Sequence, residues 1–361
     1  MRRMLLLCCA LWLGADGCQS AALTSAKLYL QQEEPQKAKE QLEQAAQSEP
    51  ANPEVHFLLG KIYGAEGDYA AMGSAFGRSL SVSPRFAKDI QAERYRYWAK
   101  EYNDGVRLAA GEQEVPNEFD VKVKPIEEGV RVPVQPVRKP DFAAARAAFQ
   151  RAAQVDSTRL ESWRNLAFVY YHLDSLSAAA GAYQRILAMA SADTATHFSL
   201  GVLYLRQNAH QEALQAFNEF LKLKPGDVDG LVNLGFAHMQ LAHYAEAESI
   251  YRQAIALDPM VEQPHYNLGN LYWKQKNYPA AREAYQQALA LAPQDDDARY
   301  NLAVTCLALE QWDEALPLLE ELAARLPDNA GVWQGLGQVH AVQGRIDESK
   351  QAYAKADALT H

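Results

Sequence analysis

The chain has 361 residues, 48% hydrophobic and 22% charged, so it carries ample apolar surface to bury and is not a disordered chain. Its 35 Lys and Arg against 45 Asp and Glu leave a net charge of −10, which argues against DNA, RNA or bare anionic lipid as partners. No run of 18 apolar residues is present to cross a membrane, and four Cys are too few for a disulfide scaffold at this length.

Residues 1–18 read MRRMLLLCCALWLGADGC. Arg2 and Arg3 form a basic start. Met4 to Leu13 is a ten-residue apolar run, too short to span a bilayer, and Gly14, Ala15, Asp16 and Gly17 lead into Cys18. The segment resembles a bacterial lipoprotein signal, although Ala15 stands where that family usually has Leu, and Asp16 is unusual there. The resemblance implies a signal over 1–17, lipid on Cys18 and, because Gln19 is not Asp, an outer-membrane address facing the periplasm. A plain cleaved signal with Ser20-Ala21-Ala22 as its small-residue site is the alternative, and implies a periplasmic or secreted protein.

The rest of the chain repeats. VNLGFAHMQLAHYAEAESIYRQAIALDP (232–259) and YNLGNLYWKQKNYPAAREAYQQALALAP (266–293) match at an offset of 34. A small residue recurs at position 8 (Ala26, Gly60, Ala167, Gly201, Gly235, Gly269, Ala303, Gly337). Another recurs at position 20, with Met72 the misfit, and a bulky one at position 24. Pro50, Pro84, Pro225, Pro259, Pro293 and Pro327 stop the second helix. This pattern resembles the tetratricopeptide repeat, two antiparallel helices that cross where both lack bulk. The resemblance implies an all-α solenoid of about nine helix-turn-helix repeats, starting at 19, 53, 87, 160, 194, 228, 262, 296 and 330. The organisation expected is N-terminal repeats over 18–110, an insertion over 111–140 and a C-terminal array over 141–361. No stretch is left for a catalytic domain.

The third repeat is interrupted by the Pro/Val-rich insertion, which holds five Pro and alternating valines. A solvated loop, an edge hairpin and an extended arm all fit it. In strict register Arg94 falls at small position 8, so the first helix of this repeat either departs from the pattern or runs in shifted register. RYRYWAKEYNDGVR (94–107) interleaves Arg with aromatics and reads as one amphipathic helix rather than a nucleic-acid surface.

Chemistry is sparse. HExxH, CxxC, phosphate loops and nucleophile elbows are absent, so no metal, no cofactor, no catalytic residue and no small-molecule substrate are expected. His197 and His265 fall at position 4, His238 and His340 at core position 11, and Cys306 also at position 11 as a small buried hydrophobe. The resemblance implies that positions 2, 5, 6, 9, 12 and 13 of each first helix line the concave face and hold extended peptides. Position 6 is Asn165, Ser199, Asn233, Asn267, Asn301 and Gly335. An Asn has both donor and acceptor, so a column of them can clamp a peptide backbone. Phe168, Tyr171, Phe198, Phe236, Tyr266, Trp273 and Tyr300 flank the column. Asn270 sits at position 9, and His172, Arg206 and Lys274 at position 13. The bland alternative is that Asn at position 6 is repeat consensus and the aromatics are partly buried.

The reading is therefore a non-catalytic scaffold or adaptor, attached to the membrane only through its lipid and gripping an extended segment of another envelope protein. An accessory subunit of an envelope enzyme or assembly machine, contacted through the insertion, is the second reading.

Overall fold

In a computed structural model, residues 20–111 and 139–360 are described. Cys18 and most of the insertion lie outside them. Among the described residues there are eighteen α-helices and no strand. The chain divides into two compact units after Met189. The first holds α1 (Ala21–Gln31), α2 (Pro35–Ser48), α3 (Pro53–Glu66), α4 (Tyr69–Val82), α5 (Ala87–Ala110), α6 (Phe142–Val155), α7 (Leu160–His172) and α8 (Leu176–Met189). The second holds α9 (Thr194–Arg206), α10 (His210–Leu223), α11 (Val228–Gln240), α12 (Tyr244–Leu257) and α13 (Glu262–Lys274). It continues with α14 (Tyr278–Leu291), α15 (Asp296–Ala308), α16 (Trp312–Arg325), α17 (Ala330–Val342) and α18 (Ile346–Thr360). Each odd helix pairs with the even helix after it, giving four hairpins in the first unit and five in the second.

Local sequence sets the helix ends. Asp68, Asp141, Asp193, Asp227 and Asp295 accept backbone N–H groups at N-caps, as do Asn52, Asn277 and Asn329. The turn between the paired helices holds one left-handed residue: Glu33, Gly67, Asp174, Asn208, Ala242, Lys276, Glu310 and Gly344. A left-handed residue turns the chain within one step, and only Gly takes that conformation freely.

The pairing follows the small columns. A Cβ on Gly201 would lie 2.6–2.8 Å from the Phe217 ring, and one on Gly235 2.6–3.0 Å from Tyr251. Gly60 meets Phe76 and Gly269 meets Tyr285 in the same way. These rings are fully buried, so each fills the space that its glycine leaves. Met72 fits at position 20 because Gly64 faces it, where a Cβ would come within 2.9 Å of the Met72 sulfur. Ser349, the other non-Ala residue there, donates its hydroxyl to the Gly337 carbonyl at 2.9 Å.

Repeat three resolves the register problem. Gly105, not Arg94, stands at the crossing, where a Cβ would lie 2.6–2.8 Å from Phe149 of α6. The helix α5 has 24 residues where α11 has 13. The extra 11 residues make three turns at ~3.6 residues per turn, so the apolar face returns to the same side. The link from α5 to α6 takes up the remaining excess. The shifted helix stays tied to its neighbours. Trp98 Nε1 donates to Ser162 Oγ at 2.8 Å, and Arg159 stacks on the Trp98 ring at 4.1 Å. Tyr97 and Trp98 are buried, which makes residues 94–107 the packed amphipathic helix expected.

Position 4 does more than fill the core. His56 Nε2 lies 2.9 Å from the Pro50 carbonyl, and His197 Nε2 2.9 Å from that of Ser191. Trp163 donates to Ser157 and Trp333 to Pro327, both at 2.9 Å, and Arg299 donates to Pro293. Each ring or guanidinium thus satisfies a carbonyl in the loop six residues before it. In repeat six this position is Leu231, and no such bond forms.

Candidate functional site

The residues expected to grip a peptide all lie on first helices. In the first unit, α7 supplies Asn165 and Tyr171, both half-buried, and Phe168, which is 47% exposed. His172 lies edge-on to Phe168 at 4.3 Å and stacks on Phe142 at 4.7 Å. Phe142 was not anticipated, because it is the first residue of α6 and belongs to a second helix. A further residue was missed for a clearer reason. With Gly105 at position 8, Asn103 occupies position 6 and is exposed. The triplet Asn103-Asp104-Gly105 is the signal, since Asn233-Leu234-Gly235 and Asn267-Leu268-Gly269 have the same form. The half-buried Tyr102 beside it takes position 5, its ring 5.8 Å from Phe149 and 4.8 Å from Trp98.

In the second unit the column is not a row of equal amides. Phe198 packs edge-on to Phe217 at 5.8 Å, and Arg206 is exposed. Asn233 turns its Nδ2 back to the Asp229 carbonyl of its own helix at 2.8 Å. Asn267 is 5% exposed and takes Gln263 Nε2 on its Oδ1 at 3.4 Å. The expectation that every position-6 Asn lines an open concave face is therefore corrected at Asn267. Periodicity assigns one face to all position-6 residues, but the neighbours that cover them differ from repeat to repeat. Phe236, Tyr266, Trp273 and Tyr300 are half-buried and pack onto the core of this unit, and Lys274 is exposed. Trp273 lies 4.9 Å from Tyr278.

Repeats seven and eight join their polar groups. The Tyr285 hydroxyl donates to Asn270 Oδ1 at 2.7 Å. Asn301 Nδ2 donates to the Tyr266 hydroxyl at 3.1 Å and to Asn270 Oδ1 at 3.4 Å. Burial pushes the Tyr285 hydroxyl pKa well up, with a smaller push from Tyr266, so this phenol keeps its proton and donates. The arrangement is a pair of oriented amides among half-buried aromatic rings. It can exchange hydrogen bonds with a polar main chain and offer flat surface to side chains.

Among the described residues no three His, Cys, Asp or Glu side chains converge as metal ligands. The Cys306 thiol is fully buried, and burial pushes its pKa up to about 11. The position-4 histidines are held singly by loop carbonyls.

A family model described as tetratricopeptide repeat matches residues 23–79, 137–194, 176–228, 232–296 and 266–330, and a second one matches 307–360. No curated protein matches the chain. Several solved structures are similar to parts of it. MamA from Desulfovibrio magneticus RS-1, residue 41 to its end, is 22% identical over 46% of this chain and 94% of its own, with a TM-score of 0.43. A tetratricopeptide repeat protein from Parabacteroides merdae is 16% identical over 61% of this chain and 88% of its own, at 0.48. Pseudomonas aeruginosa pilF is 19% identical over 54% and 88%, at 0.45. The repeat models cover most of the chain, and their small columns are the glycine-on-ring crossings of the fold: the chain belongs to the tetratricopeptide repeat family, whose members act as protein-interaction scaffolds.

Proposed function

We propose that this chain is a non-catalytic adaptor that holds an extended segment of another protein against its first helices. The observation that carries the reading is the amide pair of Asn270 and Asn301, oriented by two tyrosine hydroxyls and rimmed by half-buried aromatics. Groups of this kind suit a main chain of any sequence. The only thiol among the described residues is buried and protonated at neutral pH, which fits a binding surface better than a reactive centre.

The adaptor would act in the bacterial cell envelope, tethered by lipid on Cys18 and facing the periplasm. The support is sequence alone: the basic start, the short apolar run and the small residues before Cys18.

Two measurements test this. The full chain is used to select peptides from a displayed library of random 12-residue sequences, and the best is titrated by fluorescence anisotropy. Phe236→Ala with Trp273→Ala should weaken binding at least tenfold. Recovery of no peptide, or equal binding by the variant, would remove the adaptor reading. Separately, an alkyne fatty acid fed to cells should label wild type and not Cys18→Ser; equal labelling would remove the anchor.

A further inference from the structure

This inference rests on the adaptor reading and adds to it the direction of the bound segment. An amide side chain has two N–H donors and one oxygen with two lone pairs. Asn270 Oδ1 accepts from the Tyr285 hydroxyl at 2.7 Å and from Asn301 Nδ2 at 3.4 Å, which occupies both lone pairs. Asn301 Nδ2 gives its other proton to the Tyr266 hydroxyl at 3.1 Å, which occupies both donors. Two atoms remain: Nδ2 of Asn270, a donor, and Oδ1 of Asn301, an acceptor. Among the described residues neither atom has a hydrogen-bond partner, and neither is among the buried polar atoms left unpaired, so each keeps some exposure to solvent.

The polarity of this pair is locked. Rotating the Asn270 amide would set its NH2 against the NH2 of Asn301 and, even with Asn301 rotated as well, would take from the buried Tyr285 hydroxyl the oxygen to which it donates. Rotating Asn301 would set oxygen against oxygen. Repeats six and seven present no equivalent pair, because position 9 of repeat six is Phe236 rather than an amide and Asn267 is buried.

We propose that Asn270 and Asn301 read the main chain of the partner segment at one residue and thereby fix its direction. In an extended chain the N–H and C=O of a single residue point to the same side, the N–H nearer the N-terminus. The C=O meets Asn270 Nδ2, and the N–H meets Asn301 Oδ1. The segment then runs N to C from repeat eight towards repeat seven, its upstream end towards α17 and its downstream end towards α11. A carboxylate does not fit the pair, since it is acceptor-only and would face the Asn301 oxygen.

The test uses the full chain and the best peptide selected from the random 12-residue library, acetylated and amidated at its ends. A benzophenone at the peptide N-terminus should crosslink to α15 or α17 near Tyr300 and Trp333, and one at the C-terminus to α11 near Phe236. Replacing main-chain N–H groups by ester oxygens, one at a time, should reveal one position that weakens binding roughly two- to tenfold. That penalty should vanish in Asn301→Ala and persist in Asn270→Ala. Reversed crosslinks, or no ester position coupled to Asn301, would overturn the direction while leaving the adaptor reading in place. Recovery of no peptide at all would overturn both. The crosslinks need only wild-type protein, so a variant that folds poorly does not blunt the test.

Discussion

In repeat seven, 16 residues separate Gly269 from the Tyr285 ring that fills the space above it; in repeat three, 44 separate Gly105 from Phe149. The contact is the same, a backbone without a side chain under a buried ring, although the chain between its halves differs almost threefold. What the repeat keeps is therefore the crossing rather than the spacing. Repeat three can keep it because its added helix comes in whole turns and the rest of its excess falls between α5 and α6. The two repeats differ at position 4 as well. His265 of repeat seven bonds to the Pro259 carbonyl of the preceding loop. Glu101 of repeat three takes the Tyr69 hydroxyl and Arg151 Nε instead, both at 2.7 Å. Lengthening the helix thus replaced a local latch by a buried link between repeats.

Breaking both crossings should give the largest effect. Gly105→Leu and Gly269→Leu each force a side chain into ring atoms and should each cost roughly 1–3 kcal/mol or more. Hydrogen exchange should show the damage centred on α5 and α6 in the first case and on α13 and α14 in the second. If Gly105→Leu leaves protection of α6 unchanged, the shifted register of repeat three is wrong.

A smaller effect of opposite sign should come from the turns. Repeat three ends α5 on Gly111 at φ 75°, whereas repeat seven turns through Lys276 at φ 60°. Gly111→Ala should destabilise by about 1 kcal/mol and Lys276→Gly stabilise by up to about 1 kcal/mol, read from urea midpoints. Shifts of the same sign in both would contradict the backbone argument.

The smallest effect sharpens the position-4 difference through pH. Burial holds the His265 pKa below the usual histidine value, partly offset by its bond to the Pro259 carbonyl. The unfolded chain therefore takes up this proton first, near pH ~6.5. Stability from neutral His265 is present above that pH and declines as pH falls towards the folded value. His238 is displaced the same way, by burial and then by His243. Between pH 7.5 and 5.5, wild type should lose more stability than His265→Gln. Parallel loss in both proteins would mean that His265 is not a pH-sensitive latch.

The repeat itself was legible because small, bulky and Pro columns recur every 34 residues, and each column answers to a local steric demand. Asn233, Asn267 and Asn301 could be placed at position 6 by counting. Their different fates could not. Whether an amide faces water, its own helix or a tyrosine depends on side chains brought up from adjacent helices, such as Tyr285 beside Asn270 and Tyr266 beside Asn301. Asn103 was within reach of the sequence through its Asn-x-Gly triplet, but counting from residue 87 passed over it.

Sequence alone determined the hairpin, its length and its stacking, since periodic residues along one chain specify which helix faces must meet. Only the tertiary structure decided the register of repeat three, the burial of Asn267 and the polarity of the Asn270–Asn301 pair. Each of these depends on atoms from different helices meeting at hydrogen-bond or van der Waals distance, a property that no spacing within one helix encodes.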